Sequence, residues 1–245
     1  MMHFLSAGMA VNWTMIWTGD SLKSMKFDLL EIAARVAIGY PPFLFALCFH
    51  EYAHGWVAKL RGDRTAERMG RLTMNPLSHI DPIGTFLFPL IGMATGVPLF
   101  GWAKPVPVDA RNLKNPRTDM FWVALAGPGS NIFLGIIGSF ILVLALKFFG
   151  SSTYFGAISE LMQTFIAINF VFAIFNLIPI HPLDGGKVLE RFISPALNSK
   201  LLEHQSMFNI ILLVLFLTGF LSKFIFAPAQ IASMFSIQLA ERLLL

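Results

Sequence analysis

The chain is short of cysteine and short of charge. One cysteine, Cys48, stands among 245 residues, which excludes an internal disulfide framework. Its place in an apolar stretch suits an inert, buried thiol. Charged residues make up 13% of the sequence against 56% hydrophobic, where a soluble domain carries about 25% charged residues. There is no internal repeat and no low-complexity tract. Residues Met1 to Asp20 lack the basic start and the cleavage site of a secretory signal, so this segment reads as interfacial or as a short first helix. Neither end resembles a soluble regulatory domain.

What the chain has instead is long apolar runs. Mean hydropathy is +0.67, and five stretches stand out, at about 36–58, 83–100, 120–146, 161–180 and 207–227. Most approach the ~20 residues that cross a bilayer core as helix. The fold class that follows is an all-α polytopic membrane protein, a bundle of about 4–6 transmembrane segments. The stretch 83–100 is punctuated by Pro82, Gly84, Pro89, Gly92, Gly96 and Pro98. Helix breakers at membrane depth need other protein to satisfy the freed backbone, so it reads as a re-entrant hairpin or a pair of short helices.

Charge supports the topology. The net charge is +4, and the cations group in Lys59 to Arg71, Lys104 to Arg117 and Lys187 to Lys200. The positive-inside rule puts all three on the cytoplasmic side. Membrane topology thus accounts for the basic balance without a nucleic-acid partner. The expected organisation is one domain over 1–245, with a peripheral segment 1–30, a core 36–186 and C-terminal helices 187–245.

Two motifs carry chemistry. His50-Glu51-Tyr52-Ala53-His54 fits H-E-x-x-H, in a run without proline from Phe43 to Leu60. Residues four apart on a helix lie about 40° apart around the axis, so both imidazoles can share one metal ion. Glu51 projects beside that ion, placed to accept a proton from water. Ionisable groups in a membrane segment are costly and by default functional. The bland alternative is a polar patch bonding neighbouring helices. A catalytic zinc site takes three protein ligands, so another residue is needed.

The second motif is Asn176-Leu177-Ile178-Pro179-Ile180-His181-Pro182-Leu183-Asp184-Gly185-Gly186. Pro179 and Pro182 end the preceding helix. Asp184, the lone carboxylate between Glu160 and Glu190, reads equally as a metal ligand or as the N-cap of a following helix.

With both motifs in order, the chain resembles the site-2 proteases, the M50 intramembrane zinc metalloproteases. The segments Gly70 to Pro76, His79 to Thr85, Gly101 to Val108 and Ala126 to Asn131 are similar to the compact bacterial and archaeal branch without PDZ or CBS domains. The resemblance implies one Zn²⁺ per chain on His50, His54 and Asp184, with Glu51 as general base. It implies cleavage within or near the transmembrane segments of membrane-protein substrates, in the cell membrane, at a site reached from the cytoplasm. His181 departs from the proline of many relatives and lies three residues from Asp184. It reads as a polar loop residue, with approach to the metal as the alternative.

Further residues follow from this frame. Gly127, Asn131, Gly135 and Ser139 recur every four residues; the small ones suit close helix packing. Asn131 and Asn176 are expected to bind substrate or support the transition state, and Asn169 to bond a neighbouring helix. Lys104, Pro105, Val106 and Pro107 suit an extended edge that clamps a substrate strand, or a plain loop. The competing functions are a protease of soluble peptides, a zinc-dependent transporter and a non-catalytic membrane scaffold.

Overall fold

A computed structural model describes residues 29–95 and 101–245. The readings of 1–20 and of 96–100 fall outside them.

Among the described residues, three helices are long and apolar enough to cross a membrane. They are α1 (Leu29–Leu60), α4 (Pro116–Phe149) and α5 (Phe155–Asn176). Between α1 and α4 lie α2 (Thr65–Arg68), a π-helical turn Pro82–Leu87 running into α3 (Phe88–Thr95), and an extended strap from 101 to 109. After α5 come α6 (Asp184–Glu190), α7 (Pro195–Glu203), α8 (Gln205–Leu217) and α9 (Phe220–Leu244). No β-strand occurs among the described residues. The chain is an all-α polytopic membrane protein.

The stretch 83–100 is helical from Pro82 to Thr95. At 1.5 Å per residue this limb reaches roughly 20 Å, short of a ~30 Å hydrocarbon core. Asp81 starts it, accepting from the backbone N–H groups of Ile83 and Gly84. Its inner face lies against α1, where Met93 fills the space beside Gly39.

The apolar stretch 207–227 is not one span. It breaks between α8 and α9 at Gly219, whose φ of 72° lies in the left-handed region that favours glycine. Hydropathy alone cannot register that break, because apolar residues flank it on both sides. Beyond it α9 folds back onto the bundle. Ile225 and Ala229 are buried with Leu142 of α4 and Ile166, Phe170 and Val171 of α5. A second cluster joins Phe43, Ala46 and Leu47 of α1 to Phe172 of α5.

Outer faces are apolar too: Phe133, Ile141, Phe148 and Phe224 are exposed, as lipid-facing helix surfaces are. Small residues set the helix spacing, since a Cβ at Gly135 would meet the Phe170 ring at 2.8 Å. One helical turn on, Ser139 Oγ lies 2.7 Å from Ser236 Oγ of α9. The polar end of the bundle is pinned by Arg61 on the buried Asp119 at 3.4 Å, with the guanidinium over Trp122.

Candidate metal centre

Helix α1 carries His50 and His54 to one buried point, as four-residue spacing requires. Asp184 arrives from the first turn of α6. Its carboxylate does not cap that helix: the N-cap position is Leu183, with no side-chain cap bond. Asp184 Oδ2 instead lies 3.1 Å from His50 Nε2 and 3.1 Å from His54 Nε2, and the two Nε2 atoms are 3.0 Å apart. Among the described residues these three form the candidate metal-holding cluster.

Their outer hydrogen bonds fix what they point inward. His54 Nδ1 is 2.7 Å from the carbonyl oxygen of Val123, which can only accept. His50 Nδ1 is 2.7 Å from Asn131 Oδ1. That oxygen also can only accept, because the Asn131 amide nitrogen donates to Ala46 O and to Asn169 Oδ1. Both Nδ1 atoms therefore carry hydrogen, and in neutral imidazoles both Nε2 lone pairs face inward. Two nitrogen lone pairs and a carboxylate oxygen about 3 Å apart repel one another unless a cation lies between them. Zinc bonds of ~2.0–2.1 Å at tetrahedral angles would set ligand atoms about 3.3 Å apart, within a few tenths of an ångström of the edges found. The donor set fits zinc.

Room for the imidazoles comes from α4. A Cβ at Gly127 would lie 2.3 Å from His54 Nε2 and 2.6 Å from His50 Cε1. Gly127 thus serves the histidines, whereas packing accounts for Gly135 and Ser139.

Glu51 is partly buried, and its Oε2 accepts a hydrogen bond from the backbone N–H of Val106 at 2.8 Å. The strap that carries Val106 forms no helix or strand, and its hydrogen bonds follow the alternation of an extended chain. Alternate amides turn inward: Trp102 N donates to Gly84 O and Lys104 N to His79 O. Arg71 Nη2 donates to the carbonyls of Lys104 and Pro105, and Asp63 Oδ2 accepts from Asp109 N. His79 is fully buried, its Nε2 2.8 Å from Thr73 O, so it braces the strap.

Asn131 is fully buried with both amide hydrogens engaged, leaving none for a substrate. Asn176 bonds back to Phe172 O in its own helix. His181 turns from the metal cluster, its Nε2 3.2 Å from Glu190 Oε1. Side-chain spacing missed two features, the Val123 carbonyl and the Val106 amide; Asn169, expected to bond a neighbouring helix, does so by accepting from Asn131 of α4.

Comparison with known proteins agrees with this geometry. Residues 142–222 match Peptidase family M50. The chain is 39% identical over 178 residues to "Putative zinc metalloprotease YwhC" of Bacillus subtilis, covering 71% of this chain and 78% of that protein. It belongs to the M50 family, the site-2 proteases. This M50 protease is also 27% identical over 224 residues to "Putative zinc metalloprotease Rip2" of Mycolicibacterium smegmatis, covering 90% of the chain and 79% of the relative. The Mycobacterium tuberculosis protein of the same name is 29% identical over 220 residues, covering 89% and 79%. No solved structure matches. Membership makes the chain a metalloprotease and implies zinc, so the transporter and scaffold readings fall away.

Proposed function

We propose that this M50 protease hydrolyses peptide bonds within or near the transmembrane segments of membrane proteins, as one catalytic domain in the cell membrane. The observation that carries the reading is the inward convergence of the His50, His54 and Asp184 lone pairs at a buried point beside apolar helices. In this reading those three residues hold the metal and Glu51 is the general base.

When bound, zinc supplies Lewis acidity to the attacking water and the scissile carbonyl. Glu51 takes the proton from that water and returns it to the leaving amine. Val123 and Asn131 hold the two imidazoles in the tautomer that presents Nε2. Asn131 therefore acts behind His50 rather than on substrate, and Asn176 remains a candidate for substrate support at the end of α5.

The amides of Lys104 and Val106 are already bonded, to His79 O and Glu51 Oε2, and residues 105 and 107 have no N–H. A substrate clamped at Lys104 to Pro107 would therefore meet carbonyl acceptors more than N–H donors. The basic segments support access from the cytoplasmic side. The substrate is a transmembrane protein in the surrounding bilayer, and a helix must unwind there before its carbonyl is open to attack.

The test is cleavage of a panel of single-span substrates by the purified protein in detergent. The parent should cut inside the apolar span and lose activity with a zinc chelator. Glu51→Gln should lose at least ~10²-fold in kcat while retaining zinc; full activity in that variant would sink the assignment. Asp184→Ala should lose zinc on purification, and unchanged metal content would remove Asp184 from the ligand set.

A further inference from the structure

We infer that the backbone N–H of Val106 is the positioning group for the Glu51 carboxylate, and that the strap from Lys104 to Asp109 is built to deliver it. The inference rests on the reading of Glu51 as general base and adds a residue to it.

Pro105 and Pro107 have no N–H, so Val106 has the only backbone donor between Lys104 and Val108. That donor is spent on Glu51 Oε2 at 2.8 Å. Hydrogen bonds from amide to carboxylate are charge-assisted and directional, so one carboxylate oxygen is fixed and Oε1 is left for proton transfer. The backbone around the donor is stiff: each proline fixes its own φ, and Pro107 biases Val106 to extended conformations.

The side chain of Val106 aims the amide. It is buried over Gly55, one turn beyond Glu51 on α1, where a Cβ would approach Val106 Cγ1 to 3.0 Å. Glycine at 55 lets the strap lie close enough for the hydrogen bond to form. Arg71 holds the chain just before Val106 and Asp63 holds it just after.

The chemistry needs such a group. A glutamate on α1 has three rotatable bonds, and a displacement near 1 Å can cost about 10²-fold in rate. Side chains that orient catalytic groups can be found from sequence spacing, whereas a backbone donor leaves only the flanking prolines as its mark.

The experiment compares Val106→Pro, Val106→Ala and Glu51→Gln in the purified full chain, on a single-span substrate that the parent cleaves, reading kcat, KM and zinc content. Val106→Pro removes the donor and keeps an extended strap. It should lower kcat by about tenfold to a hundredfold with KM within about threefold and zinc unchanged. Val106→Ala keeps the donor but trims the side chain that packs over Gly55, so it should lose some kcat, at least about threefold less than Val106→Pro loses. Should Val106→Pro lose zinc or unfold, the ester formed by α-hydroxyvaline at 106 removes the same N–H without a ring and carries the same expectation.

Equal losses in the proline and alanine variants would overturn the inference. So would a raised KM at unchanged kcat in Val106→Pro, which would give the strap to substrate alone, or a raised kcat, which would make the contact a brake. An active Glu51→Gln would instead overturn the base reading beneath it. An inactive Glu51→Gln beside matched Val106 variants would overturn only the positioning role.

Discussion

His50, His54 and Asp184 project from helices, and what they contribute is side-chain chemistry. Val106 projects from an extended strap, and what it contributes is a backbone amide. The ligand side is held by groups buried within the bundle: the Val123 carbonyl, Asn131 and, behind it, Asn169. The strap side is held near the polar end by Arg71, His79 and Asp63. A metal site needs atoms fixed to tenths of an ångström, which rigid helices provide. A site that must accept an unwound substrate needs an open edge, which an extended strap provides. Damage to the ligand side should therefore appear first as lost metal, and damage to the strap side as lost rate or stability with metal kept.

The largest effect should come from Gly127→Ala. Its Cβ would stand 2.3 Å from His54 Nε2, and His54 is tethered behind by Val123, so the ring cannot retreat without losing that bond. Alanine is the better helix former by about 1 kcal/mol, so the apo helix should be no weaker. Metal analysis after dialysis should find at least a tenfold drop in zinc per protein, with helical circular dichroism intact. Parental zinc content would mean that α4 yields easily and that the ligand side is softer than its burial suggests.

Asn131→Ala should come next. It strips the acceptor from His50 Nδ1 and leaves Asn169 Oδ1 without its donor. Loss of such an outer partner costs about 10–100-fold in metal affinity, measurable by competition with a chromophoric chelator. Asn169→Ala leaves the bonds of Asn131 to His50 and Ala46 in place, so its loss should be smaller. An equal loss from both variants would mean that Asn169, not His50, sets the Asn131 orientation.

The same contrast explains what could be read from the sequence. His50, Glu51 and His54 were legible because a helix turns spacing into direction. From spacing alone Asp184 stood undecided between ligand and cap, because α5 ends at Asn176 and the path of the following loop decides where the carboxylate points; only the resemblance pointed to a ligand. The apolar runs located α1, α4 and α5, since a bilayer constrains length and polarity together, although each helix begins before its run. They failed at 207–227 because one glycine breaks the helix without changing hydropathy. Val106 lay inside a segment marked as extended by its prolines, yet nothing in residue types says which amide meets which carboxylate.

The smallest effect, and the sharpest for the strap side, concerns Asp63. It is 1% exposed and lies in the turn after α1, where it accepts from Thr65, Asn112 and the Asp109 amide. Burial pushes its carboxyl up, but these hydrogen bonds outweigh burial and hold it below the ordinary value. A carboxyl lowered by folding stabilises above its unfolded pKa, about 3.9, and that contribution disappears as pH falls through the lower, folded value. Asp63→Asn keeps the shape but turns one acceptor oxygen into a donor facing backbone N–H groups. It should cost about 1–3 kcal/mol at pH 7, seen as a melting temperature lowered by several degrees with zinc content kept. The gap between parent and variant should stay level from pH 7 down to about 5 and narrow below about 4. A gap constant with pH would mean that the ionised state of Asp63 contributes nothing to the strap. Zinc loss in the variant would mean that the two sides of the site are mechanically one.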